Sequence, residues 1–354
     1  MKKSIRIGGA SGFWGDSVIA TPQLLNGNSL DFIVYDYLAE ITMSIMARAR
    51  SKDPLKGYAT DFVSSVMKLN LRQISEQNIK ILSNAGGVNP EACADALREL
   101  IKEQNLKLKV AVILGDDLMN EKDSFIQDKV SEMYSGIDFP NSDKIASINA
   151  YLGAFPIAKA LEQGADIVIT GRSVDSAVTL GACIYSFGWN DKEYDLLSSG
   201  SLAGHIIECG TQSTGGNFTD WEKVANNLND IGYPIVEIKN DGTFTCSKSK
   251  SSSGIVNVGT VSEQMLYEIG DPQAYILPDV ICDFSNVSLK EIEKNIVQIS
   301  GARGYPCPKD YKVSVTYADG YRGGHLCSFI GIDADKKAQV FGEAIFERSK
   351  TIMR

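Results

Sequence analysis

The feature that most restricts this chain is a rhythm. Short apolar runs alternate with segments of helical periodicity through the first two-thirds, and each apolar run hands over to a loop rich in Gly, Asn or Asp. Such alternation argues for βαβ units around a mostly parallel sheet. Strands are expected at 5–8, 31–35, 79–83, 108–114 and 165–170, and helices at 38–50, 60–76, 90–104 and 144–162. In the first of these helices Leu38, Ile41 and Ile45 share a face. The third opens on Asn89-Pro90-Glu91 as cap and first turn, and the last is closed by Gly164. In parallel α/β sheets the loops leaving the carboxyl ends of the strands are where ligands bind.

From about residue 216 the texture changes to short β-like runs separated by turn residues, among them Asn240-Asp241-Gly242, Glu293-Lys294-Asn295 and Asp319-Gly320. The expected fold class is therefore α/β. A mostly parallel, Rossmann-like sheet with flanking helices over 1–215 is followed, over 216–354, by a smaller α+β portion with antiparallel strands packed on it. Lys248 to Gly254 reads as an exposed loop, and 336–353 carries Phe341, Ile345, Ile352 and Met353 at roughly helical spacing.

Charge and cysteine usage exclude several classes. With 35 Lys and Arg against 44 Asp and Glu, the net charge is −9, and no local basic patch offsets it, so nucleic acid is not an expected partner. The longest nearly uncharged stretch, Ser173 to Asn190, is interrupted by Asp175 and dotted with Ser, Gly and Thr, so no membrane span is expected. The apolar run after Lys2-Lys3 is too short for a signal-peptide core. Seven scattered cysteines without a C-x-x-C pair fit reduced thiols and a cytoplasmic setting. Neither His205 nor His325 has a partner at metal-ligand spacing.

Five strand-end segments carry candidate chemistry. Gly8 to Asp16, with Gly9, Ser11 and Gly12, follows the first strand, where glycines admit either a close ligand or a tight turn. It is neither a G-x-G-x-x-G nor a Walker A loop, which argues against a dinucleotide and hydride transfer. Asp36 and Glu40 close the second strand and suit a helix start, with a cleft-facing carboxylate as the functional alternative. Asn84 to Asn89, including Gly86 and Gly87, is a second glycine turn, and together the two turns suggest a shared cradle. Asp116 and Asp117 read as solvated caps, or as oxygen ligands for Mg2+.

In the fifth segment, Gly171-Arg172 places a guanidinium fork where a carboxylate or phosphate can be gripped, and Asp175 either holds that arginine or merely stitches the loop. Farther along, Gly200 to Phe218 packs a histidine, a carboxylate, a thiol and several hydroxyls into one run that ends near Asn217. If it is helical, His205 and Cys209 share a face with Glu208 adjacent, the geometry of an acid–base pair or an activated thiolate. Cys209 as a small buried hydrophobe is the structural alternative.

The blocks TGRSVDSAVTLG, LAGHIIECGTQSTGGNFTDW, IGYPIVEI, LYEIGDPQAYILPDVICDF and SGARGYP, in this order and spacing, resemble the acyclic terpene utilisation (AtuA) family from the first glycine loop to the last helix. The resemblance implies a setting in bacterial breakdown of acyclic terpenes such as citronellol and geraniol, beside enzymes that act on branched acyl-CoA thioesters. It carries no catalytic assignment. Many members have a further, smaller ferredoxin-like C-terminal domain, sometimes as a separate chain; this sequence stops before it, so the resemblance leaves two expectations, a companion domain or subunit, or a chain cut short of that domain.

The expected activity is that of a lyase or hydratase on a carboxylate or acyl-CoA substrate, with CoA present only as part of the substrate and no other cofactor unless Mg2+ binds at Asp36, Asp116 or Asp117. Arg172 would anchor the anion, the loops 8–16 and 84–89 would donate N–H groups to an enolate oxygen, and Glu208 or His205 would move the proton. The alternative is a subunit that binds an acidic small molecule and reacts only with its partner domain. A homo-oligomer is expected in either case.

Overall fold

The computed structural model describes residues 2–16, 18–321 and 323–353. Each apolar run read from the sequence becomes a strand: β1 (Ser4–Gly9), β2 (Phe32–Tyr35), β3 (Lys80–Ser83), β4 (Val110–Ile113) and, after β5 (Ile145–Ala150), β6 (Ile167–Thr170). Beyond them come β7 (Pro234–Lys239), β8 (Phe244–Lys248), β9 (Tyr275–Ile276), β10 (Ile281–Asp283), β11 (Ser288–Glu293), β12 (Ile296–Ser300), β13 (Arg303–Tyr305) and β14 (Val313–Tyr317). Nine of them form one sheet in the order β11-β12-β8-β7-β1-β2-β3-β6-β4.

From β1 to β4 every neighbouring pair is parallel, with Ile7 beside Phe32, Ile33 beside Ile81 and Leu82 beside Val168. On the other side of β1 the pairs are antiparallel, and β7 hydrogen-bonds directly to β1, so residues beyond 216 extend the same sheet. The turns at Asn240-Asp241-Gly242 and Glu293-Lys294-Asn295 join β7 to β8 and β11 to β12. Small antiparallel sheets of β13-β10-β9 and β14-β5 complete the strands.

Helices cover both faces, as a parallel sheet requires. One layer consists of α1 (Ala20–Leu25), α2 (Glu40–Lys52), a π-helical segment Phe62–Met67 running into α3 (Lys68–Glu76), and α4 (Pro90–Glu103). It packs on Ile33, Tyr35, Ile81, Ile167 and Ile169. After the short α5 (Lys122–Gln127), the opposite layer of α6 (Phe155–Glu162), α7 (Ala177–Phe187) and α8 (Tyr194–Glu208) packs on Phe32, Val34, Leu82 and Val168. Adjacent strand residues thus serve alternate cores, and each fully buried side chain contributes about 1.5–3 kcal/mol. Then α9 (Val258–Leu266), opened by an Asn257–Thr260 capping box, precedes α10 (Ala334–Ile352).

Two elements differ from expectation. The single helix expected over 144–162 is instead strand β5 followed by α6. Ile145 and Ile148 are spaced as on a helix, but β14, far downstream, pairs with this stretch and holds it extended. In α2 the core face is Thr42, Met43, Met46 and Ala47, while Ile41 and Ile45 are exposed; only Leu38, just before the helix, is buried.

The chain divides into two compact units, Met1–Tyr317 and Ala318–Arg354. Helix α10, in the second, buries none of its residues and exposes Val340, Phe341, Ile345 and Phe346. Among the described residues no helix is long and apolar enough to cross a membrane.

Candidate functional site

The candidate site lies where the loops after β1, β2, β3 and β6 meet the carboxyl-terminal end of α8. Gly9 and Gly12 make this meeting feasible: a Cβ on Gly9 would stand 2.4 Å from the Ile207 carbonyl oxygen, and one on Gly12 would stand 2.7 Å from the Cys209 carbonyl carbon. The room these glycines leave is occupied by α8 itself, and the Gly12 N–H is bonded to Asp16. Gly86 is likewise filled by the Thr170 carbonyl and Pro90, and Gly87 by Met46, with its N–H on the Asn84 carbonyl. The glycine turns therefore draw the loops together, and the Gly12 and Gly87 N–H groups are already bonded within them.

Loop-to-loop bonds fix the rim. The Ser11 hydroxyl donates to the Asp36 carbonyl at 3.0 Å, and the Asn84 amide bridges the Asp36 carboxyl and the Tyr37 N–H. Asp36 does not cap α2; its Oδ1 accepts from the Leu38 N–H at 3.3 Å. Arg172, 2% exposed, donates from Nη1 to the Leu38 carbonyl at 2.9 Å and to Asp175 at 3.1 Å, and its guanidinium lies 4.1 Å from the Tyr151 ring centroid. Tyr151 donates its hydroxyl to Glu40, and Lys312 approaches the same ring and pairs with Glu40 at 3.6 Å. Behind Arg172, buried Asp116 accepts the Arg172 backbone N–H at 2.8 Å and the Asn149 amide at 2.9 Å.

Helix α8 supplies the reactive pair. His205, 2% exposed, sits with Nδ1 2.6 Å from the Glu208 carboxylate, one turn on. Its carbonyl accepts from Gln264 of α9 at 2.7 Å, and the ring borders Tyr275. His205 Nε2 is buried with no hydrogen-bond partner among the described residues. A buried polar atom in this state costs free energy unless a ligand or water meets it.

The electrostatics are those of a crowded acidic recess. Burial, reinforced by Asp175 and Glu208, pushes the Asp36 carboxyl well above the usual carboxylate range. Burial pushes Asp175 up to about 7, with Arg172 opposing and Glu208, Glu40 and Glu268 adding. Asp175 nevertheless keeps 32% of its side-chain surface accessible. At His205 burial works against the charged ring, but Glu208, by charge and hydrogen bond, raises the imidazole above its ordinary value. At Cys209 burial, aided by Glu208, pushes the thiol up and away from thiolate, so its setting is not that of an activated nucleophile.

Asn84, Arg172, Asp175, His205 and Glu208 are thus brought together, with Cys209 beside them, while Asn217 is exposed on the loop after the Gly210–Thr214 turn. His325 is exposed in the second unit. Asp117 is half exposed and faces Arg50. Among the described residues no group of three or more His, Cys, Asp or Glu side chains is arranged to hold a metal ion. Tyr151, Asn149, Gln264, Tyr275 and Glu268 are contributors that the sequence reading missed. Only the motif LYEIGDPQAYILPDVICDF, which holds two of them, carried a signal.

No curated protein and no solved structure matches the chain. The family model described as acyclic terpene utilisation family protein AtuA matches residues 5–353, and the chain belongs to that family, which is implicated in acyclic terpene utilisation.

Proposed function

We propose that the chain is an acid–base enzyme of the lyase or hydratase type, acting on an acyl thioester or a related carboxylic compound in acyclic terpene catabolism. The observation that carries this reading is the buried His205–Glu208 pair at 2.6 Å, whose outer nitrogen has no partner among the described residues, set beside the raised carboxyls of Asp36 and Asp175. Groups whose proton affinities are separated by their surroundings are what proton transfer at neutral pH needs.

In this reading Glu208 accepts the Nδ1–H and orients the ring, and the protonated imidazole donates its Nε2–H to the substrate oxygen. Asp175, titrating near neutrality, takes or returns the proton at carbon, beside the Asp36 carboxyl that burial raises well above its usual range. For a hydration, the base removes a proton from water as its oxygen adds to the β carbon, and the acid delivers a proton to the α carbon. Arg172, already engaged by Leu38, Asp175 and Tyr151, sets the position of Asp175.

The test is α-proton exchange into D2O of a branched acyl thioester, followed by NMR. Exchange by the wild type and its loss by at least about 100-fold in His205→Asn and Asp175→Asn is the expected result. Full exchange in both folded variants would refute these roles.

A second reading, that the chain completes its site only with a companion ferredoxin-like domain, is supported by the apolar side chains that α10 leaves exposed, Phe341 and Ile345 on one face among them. Activity that appears only on adding that domain would select it.

A further inference from the structure

Among the described residues, three cations of this cluster are each paired with a carboxylate. Arg172 is paired with Asp175 at 3.1 Å, His205 with Glu208 at 2.6 Å, and Lys312 with Glu40 at 3.6 Å. Two further carboxyls, Asp36 and Glu268, act on the same groups without a cation of their own. Glu268 stands just beyond α9, on a residue whose φ is +59°, and α9 is tied to the His205 turn through Gln264. Among the described residues, an incoming carboxylate would therefore find each cation of this cluster already facing a carboxyl group.

The hydrogen-bonding inventory points the same way. Among the described residues, the buried polar atoms without a partner include two nitrogens of the charged pairs, His205 Nε2 and Arg172 Nε, beside the Ser173 hydroxyl and the Asn149 and Gln264 amide oxygens. A neutral acceptor oxygen satisfies a donor there without adding charge to a recess that has a surplus of acid. We propose that the site selects an uncharged carbonyl, that of a thioester or ester, and excludes the corresponding free carboxylate. This rests on the acid–base reading of the same site and narrows its substrate class.

The exclusion has a direction in pH. Asp175 is faced by Arg172 from its own loop, Asp36 from the β2 loop, His205 and Glu208 from α8, Glu40 from α2 and Glu268 from beyond α9. Tyr275 and Lys312 border the same cluster. Protonation of Asp175 removes one negative charge, so a free acid is excluded more strongly above about pH 7 than below it. A neutral ester feels little of this change.

The experiment compares 3-methylbutanoate with its N-acetylcysteamine thioester, binding each to the full chain by calorimetry or ligand-observed NMR between pH 6 and pH 8.5. The expected result is a thioester that binds at least about tenfold more tightly at pH 8.5, and an acid whose affinity falls across the range while that of the thioester stays within about twofold. Asp175→Asn, checked for folding by its melting curve, is expected to relieve the pH-dependent loss for the acid. Equal affinity, tighter binding of the acid, or no binding of either ligand would overturn the proposal. α-Proton exchange is read separately, so loss of selectivity with exchange intact removes only this inference, whereas loss of exchange with selectivity intact removes only the acid–base assignment.

Discussion

Replacing Gly9 by alanine should move the reactive pair without touching it. A Cβ at this position would lie 2.4 Å from the Ile207 carbonyl oxygen and 2.9 Å from its Cβ, whereas ordinary contact begins near 3.4 Å. Neither neighbour is the free end of a flexible chain, so α8 and β1 must separate by about 1 Å, the difference between 3.4 and 2.4 Å. Overpacking of this kind typically costs about 1–3 kcal/mol, and displacement of a catalytic group by about 1 Å can lower a rate on the order of 100-fold.

Urea denaturation would read the first quantity and α-proton exchange the second. Gly342→Ala, in exposed α10 where a new Cβ meets nothing within 4 Å, is the control and should leave exchange unchanged. A Gly9→Ala protein with wild-type stability and wild-type exchange would show that α8 is not clamped to β1 in the way described.

Three other outcomes are expected. The rate should rise with pH through a limb near 7 if Asp175 acts as base, and Asp175→Asn should abolish that limb in a pH–rate profile of the folded variant. Cys209→Ser should keep exchange within a few-fold, because burial disfavours the thiolate; a complete loss would restore the thiol to the mechanism. Asp279, which caps the start of α6 through the Ala154 N–H, is pushed by burial up to about 6. A carboxyl raised in the folded state adds stability that is complete below its unfolded value and is lost as pH rises through about 6. Asp279→Asn should therefore flatten the stability–pH curve by about 2–3 kcal/mol between pH 4 and pH 8, measured by denaturation at each pH.

The parallel half of the sheet was legible because its central strands are buried on both faces and read as unbroken apolar runs such as Phe32-Ile33-Val34-Tyr35. Segment 145–150 was not, because Ile145 and Ile148 fit a helix as well as a strand, and the partner that decides between them is distant in sequence. The face of α2 was misjudged for a related reason: two methionines fill the core, and the branched residues Ile41 and Ile45 point outward. At the site, Arg172–Asp175 and His205–Glu208 were visible as neighbours three apart. Tyr151, Glu268 and Gln264 arrive from elements whose approach depends on tertiary packing, and no local spacing announces them.

Helix α8 is built from small residues where it crosses its neighbours, with Gly200 against Leu180 and Trp189 and Gly204 against the Ser176 backbone. From Leu197 to Glu208 every one of its residues is buried. There is no slack along this rod into which a larger side chain could be admitted, so the height of the reactive imidazole is set by the close approaches at Gly9, Gly200 and Gly204.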